Sequence, residues 1–129
     1  MSFAYLGEVT LHWRQDGDPA GAPVVFAHAL GLDQRLWDAV IPLLPQGLRL
    51  IRYDLRGHGR SDCPAPPYAM GALISEDGST PPDLVRETAG LIRGAQFELI
   101  QGAGHLPPVD RPQDFAQKLN GFLTAIGRL

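Results

Sequence analysis

The chain has one cysteine, Cys63, so no disulfide can close within it, and a cytoplasmic location is the expectation. Lysine is almost missing, with Lys118 alone against ten arginines. The 11 cations are outweighed by 14 acids for a formal net charge of −3. The arginines are spread along the chain rather than gathered on one stretch, so no nucleic-acid partner is expected. No apolar run reaches the length that crosses a bilayer, so no membrane span is expected either. The opening MSFAYLGEVTLHW lacks a basic region, an apolar core and a small-residue cleavage site, and export is not indicated. The four histidines, at 12, 28, 58 and 105, lack metal-ligand spacing. Neither Gly57-His58-Gly59 nor Gly102-Ala103-Gly104 extends to a dinucleotide fingerprint. No cofactor is expected.

What is present suits one folded domain over residues 1–129. Apolar types make up 44% and charged types 19%, which argues against disorder. Twelve prolines and 15 glycines predict many turns and short elements. Phe3–Leu6 and Val9–Trp13 read as a hairpin, with Val9, Leu11 and Trp13 on one face. Pro23–Ala27 is continuously apolar, the pattern of a strand buried on both faces. The spacing of Leu36, Trp37, Val40, Ile41 and Leu44 predicts a helix over 32–44, capped by Asp33 and bent at Pro42. Leu48–Tyr53 is the next strand. Asp54, Arg56 and Asp62 can tie the loop that follows by charged hydrogen bonds. A short helix is expected over 68–75.

In the second half, Thr80-Pro81-Pro82-Asp83 predicts a helix start. Leu84, Val85, Thr88, Leu91 and Ile92 would be its buried side, with Gly94 ending it. Phe97–Ile100 reads as a strand. Asp110 is expected to cap a last helix whose apolar positions are Phe115, Leu119, Phe122 and Ile126. Strands alternating with amphipathic helices predict an α/β fold: a small, mainly parallel sheet with an N-terminal antiparallel hairpin and helices on both faces.

Two stretches carry a recognisable pattern: VVFAHALGLDQRLWDAVIPLLPQGLRLIRYDLRGHGRSD, residues 24–62, and the segment from DGSTPPDLVRETAGLI to QGAGHLPPVDRPQDFAQKLNGFL, residues 77–126. With these the chain resembles the α/β-hydrolase superfamily, and most closely its 3-oxoadipate enol-lactonase group. The resemblance implies a truncated α/β-hydrolase fold and a small ester or lactone as ligand. It implies that His105 is the catalytic histidine and Asp77 the acid that orients it. It also implies that His28-Ala29-Leu30-Gly31 is the oxyanion loop, with the Leu30 N–H as donor. In such a site the histidine takes the nucleophile's proton, the carboxylate fixes its tautomer, and backbone N–H groups receive the developing negative charge.

The chain departs from that pattern at the nucleophile: no G-x-S-x-G occurs in it. Tyr68–Ile74 leads straight into Ser75-Glu76-Asp77, as though the two ends of the fold were joined near 74–77. The substitute nucleophiles are Ser61, Ser75 and Ser79, and Cys63 is more simply an inert thiol. Three functions stay open. One is a lactonase-family protein that is inactive alone, another an active hydrolase using a substitute serine or a partner chain, and the third a non-enzymatic binding or assembly protein. A sheet shortened in this way leaves edges to satisfy. Strand 24–27 could pair directly with 97–100, or two chains could pair as a homodimer through exposed edges.

Overall fold

Gly7, at φ +66°, turns the chain back on itself, so that β1 (Ser2–Leu6) and β2 (Val9–Gly17) pair antiparallel from Leu6↔Val9 to Ser2↔Trp13. The computed structural model describes residues 2–29, 31–63, 82–104 and 106–129, and only the backbone of 82–85. β2 is long enough to pair on its other edge with β4 (Leu48–Tyr53), again antiparallel, from Trp13↔Tyr53 to Gly17↔Arg49. β3 (Ala22–Ala27) runs parallel to β4 from Ala22↔Leu48 to Ala27↔Tyr53. The four strands form one sheet in the order β1-β2-β4-β3.

Two of the three pairings are therefore antiparallel, and the expected mainly parallel sheet is corrected to a mostly antiparallel one. The hairpin supplies half the strands, and its second strand docks on β4. A second parallel pairing would need Phe97–Ile100 in the sheet. Residues 95–100 instead form no strand, so they do not pair with β3. β3 ends the sheet among the described residues.

One face of the sheet is covered. Ala22, Val24 and Phe26 of β3 and Leu48 and Leu50 of β4 point to it, as period-2 geometry requires. Against them pack Trp37, Val40, and Ala116 and Leu123 of the last helix, with the Phe26 and Trp37 rings 5.1 Å apart. The alternate residues of β3 (Pro23, Val25 and Ala27) are exposed, Val25 by 61%. β3 is thus half-buried, not buried on both faces. Helices on both faces are likewise not observed among the described residues.

The expected helix over 32–44 is two 3-10 turns, Gln34–Trp37 and Ile41–Leu43. Asp33 caps the first as predicted, accepting from the Arg35 N–H at 2.8 Å. Pro42, lacking an N–H, falls in the second turn and prevents a continuous α-helical ladder.

α1 (Pro82–Gly90) begins where the proline pair predicts, but Thr88, Leu91 and Ile92 are exposed, Leu91 by 85%. The short α2 (Pro107–Asp110) precedes α3 (Pro112–Ala125). Asp110 ends α2 rather than capping α3, and its carboxylate accepts the Gly104 N–H at 2.9 Å. Pro112 opens α3 instead, a position where the missing N–H costs no helix bond. On α3 the expected Phe115, Leu119 and Phe122 pack on the core, while Ile126 is 47% exposed. The expected helix over 68–75 and the 74–77 junction lie outside the described residues.

Candidate functional site

β4 delivers Asp54 to the end of the sheet, and the loop after it is built around that carboxylate. Asp54 is 2% exposed. Its Oδ1 accepts the Gln34 N–H at 2.9 Å, and its Oδ2 accepts the Arg60 N–H at 3.0 Å. The Nδ1 of His12 lies 2.7 Å from the same Oδ2. Gln34 Nε2 lies 2.8 Å from the same Nδ1, so carboxylate, imidazole and amide meet at one point. Burial pushes the Asp54 carboxyl up, but the hydrogen bonds from Arg60, Gln34 and His12 outweigh it and hold the group below its usual range.

The backbone closes the same knot. Asp54 N–H donates to the His12 carbonyl at 2.9 Å, and Ser61 Oγ donates to the Asp54 carbonyl at 2.6 Å while accepting the His12 N–H at 2.8 Å. Asp62 accepts the Thr10 N–H at 2.8 Å and returns its own N–H to the Thr10 carbonyl. The prediction that Asp54 and Asp62 tie this loop by hydrogen bonds holds. The sequence reading missed His12 as the third member, although β2 alternates Thr10, His12, Arg14 and Asp16 on one face. That polar alternation is the signal for a polar seam under the loop.

The next layer joins this loop to residues 28–31. His28 is 5% exposed; its Nε2 accepts the Leu55 N–H at 2.9 Å, which places the proton on Nδ1, donated to the Ala29 carbonyl at 2.8 Å. Gly31, at φ +76°, donates its N–H to His58 Nε2 at 3.0 Å. His58 Nδ1 then donates to the Arg56 carbonyl at 3.1 Å. The two imidazoles meet edge to face at 5.2 Å. Each ring thus has both nitrogens engaged with backbone, so His28 and His58 hold the two loops in register.

A cavity of about 340 Å³ opens beside them, walled by Gly31, Leu32, Asp33, Arg35, Leu36, Leu106 and Val109. It brings the glycine of the 28–31 loop to the residue that follows position 105. The Arg35 guanidinium, bonded to Asp33 at 2.7 Å, holds the Asp33 carboxyl at about 2. Of the residues predicted for a site, His28, Ala29, Gly31 and Ser61 are placed. Leu30, Asp77, His105, Ser75 and Ser79 lie outside the described residues.

Residues 24–77 match the Alpha/beta hydrolase family. They contain most of β3, the 28–31 loop, β4 and the Asp54 loop, while Thr10 and His12 of β2 and Leu106 and Val109 lie outside them. Over these residues the chain is similar to alpha/beta hydrolases. The crystal structure of the enol-lactonase from Burkholderia xenovorans LB400 superposes with a TM-score of 0.52 and 34% identity, over 56% of this chain and 28% of that one. A hydrolase from Pseudomonas aeruginosa PA01 also gives 0.52, with 30% identity over 70% of this chain and 31% of that one. Among curated proteins, the 3-oxoadipate enol-lactonase 1 of Acinetobacter baylyi is 41% identical over 49 residues, 37% of this chain and 18% of its own length. The "Probable oxidoreductase EphD" of Mycobacterium tuberculosis is 47% identical over 51 residues, 40% of this chain and 9% of its own. The chain spans between 9% and 25% of the length of the curated relatives it matches. The expected kinship with alpha/beta hydrolases of enol-lactonase type therefore holds. Among the described residues no helix is long and apolar enough to cross a membrane, and no cluster of three or more metal-ligating side chains exists.

Proposed function

We propose that this chain is a shortened lactonase-type hydrolase scaffold that retains the oxyanion and histidine loops and hydrolyses nothing by the serine route on its own. One observation carries the reading: the cavity walled by Gly31 and Leu106 joins the two loops, while the sequence contains no G-x-S-x-G to place a serine between them. A complete site would pair a serine with His105, orient His105 through Asp77, and receive the oxyanion at the Leu30 N–H. Ser61, the one described serine among the substitutes, has its hydroxyl committed to the Asp54 carbonyl and the His12 N–H, which supports leaving it out of the chemistry.

The test is hydrolysis of a small panel of enol-lactones and aryl esters by the purified chain, beside His105→Ala and an intact enzyme of the family. The expected result is no turnover above the His105→Ala variant. Turnover that disappears in His105→Ala overturns the reading and points to a substitute nucleophile.

A second reading, association through the sheet, is favoured by β3, which is hydrogen-bonded by a described strand on one edge only. An unpaired edge invites a further strand, from a second copy or from a chain that supplies the missing serine. A sedimentation mass near twice 14.0 kDa is expected for the homodimer, and a monomer at all concentrations removes it.

A further inference from the structure

Two backbone amides fix the direction of the hydrogen bonds at His28 and His58. The Leu55 N–H reaches His28 Nε2 at 2.9 Å, and the Gly31 N–H reaches His58 Nε2 at 3.0 Å. An amide N–H only donates, so each Nε2 offers a lone pair and each ring keeps its one proton on Nδ1, against the carbonyl of Ala29 or of Arg56. Both rings are therefore neutral in this arrangement. A second proton on either ring turns its Nε2 into a donor that faces a donor, and that bond is lost. We propose that His28 and His58 form a pH-sensitive clasp: while both imidazoles are neutral they fasten the 28–31 loop to the loop after β4, and a proton on either one releases its end. This clasp concerns the joint between the two loops and does not rest on the hydrolase reading.

The two bonds cross the same gap in opposite senses. His28 stands in the first loop and takes an amide of the second, while His58 stands in the second and takes an amide of the first. With the rings edge to face at 5.2 Å, a charge on one opposes a charge on the other, so the protons enter in two steps. Histidine is the side chain whose ordinary titration falls between about pH 5 and 8, which sets the range of the clasp. Among the described residues the charged groups about the pair are Asp33, whose carboxylate feels the His28 ring, Arg35, bonded to Asp33, and Arg56, in the same turn as His58. Asp33 thus supplies a counter-charge for a proton on His28. Asp54, beside Leu55, is taken up by His12, Gln34 and Arg60, and Asp62 by Thr10. Gly31 also belongs to the wall of the 340 Å³ cavity, so its release alters that wall.

The test is nuclear magnetic resonance of the purified, isotope-labelled chain from about pH 8 down to about pH 5. At the upper end, imidazole spectra are expected to show both rings with the proton on Nδ1. As pH falls, the protection of the Leu55 amide against hydrogen exchange is expected to drop about tenfold or more relative to that of Leu50, inside β4, the worth of one good hydrogen bond. The Gly31 amide shift is expected to follow the protonation of the His58 ring. His58→Gln keeps an acceptor at about the reach of Nε2 but does not titrate. In that variant the Gly31 amide is expected to lose its pH dependence while Leu55 keeps its own. The measurements on the parent chain decide the matter even where the variant fails to fold. A ring that carries its proton on Nε2 at about pH 8 overturns the proposal. So does Leu55 protection that stays level over the range, or a Gly31 titration that persists unchanged in His58→Gln.

Discussion

Gly59 lies so close to Asp54 that no side chain fits between them: a Cβ at position 59 would collide with both Cγ and Oδ2 of the carboxylate. The glycine also sits at φ +51°, in the left-handed region that other residues enter at a cost. Gly59→Ala therefore has two penalties, a strained backbone and displacement of a carboxylate on which the loop is built. A loss of about 2–4 kcal/mol is expected in urea unfolding. Gly31→Ala is the control. Its φ is +76°, but a Cβ there meets nothing within 4 Å, so only the backbone penalty of about 1–2 kcal/mol applies. Equal losses at the two positions would mean that the Asp54 contact contributes nothing.

That glycine pair also marks what could be read from the sequence. The G-x-G punctuation around His58 and the acids at 54 and 62 are local signals, and they predicted a tied loop correctly. The hairpin, β3, β4 and the α3 stripe were legible for the same reason: alternation and 3–4 spacing are short-range patterns. The orientation of pairing was not. β2 carries no mark saying that it will dock antiparallel on β4, since nine residues of strand can serve either neighbour. Phe97–Ile100 has the composition of a strand, but a strand exists only when a partner accepts its hydrogen bonds, and none does among the described residues. His12 escaped because its role depends on Asp54, 42 residues away. Ala116 and Leu123 fell outside the predicted α3 stripe yet are its most buried residues, in one core with Phe26, Trp37 and Val40, which come from other elements.

Acid should unfold the protein by way of the same carboxylates. Asp54 has its folded pKa lowered by the hydrogen bonds it accepts, and Asp33 is lowered to about 2 by Arg35. A lowered folded pKa means that the unfolded chain binds protons first as pH falls. The stabilisation from these groups is thus complete above the ordinary aspartate pKa of about 3.9 and drains away as pH drops through the folded values. Stability in urea is expected to stay level from neutrality to about pH 4 as far as these two acids are concerned, then to fall. Asp54→Asn should lose about 2–4 kcal/mol at pH 7, since one charged acceptor of three hydrogen bonds is replaced by a neutral amide. It should also fall less steeply below pH 4, having one titrating acid fewer. An acid limb identical to that of the parent chain would assign the loss to other groups.

Ser61 separates a structural hydroxyl from a nucleophilic one. Its oxygen accepts the His12 N–H and its proton goes to the Asp54 carbonyl, so it bridges β2 to the end of β4. A serine acting as nucleophile needs its proton directed at a base, and here that proton is held by a carbonyl that cannot take it. Ser61→Ala leaves the His12 N–H and the Asp54 carbonyl without this partner, and a loss of about 1–3 kcal/mol is expected in urea. Ser61→Thr keeps the hydroxyl and should recover part of that loss, provided the added methyl is accommodated at this half-buried position. Neither variant should alter hydrolysis of lactone or ester substrates relative to the parent chain. The decisive comparison is the Ser61→Ala protein assayed well below its unfolding temperature. Unchanged stability together with lost turnover would reverse the assignment, making Ser61 the nucleophile and its two hydrogen bonds a resting arrangement. Lost stability with unaltered turnover leaves Ser61 as the bridge that fixes the Asp54 knot to β2.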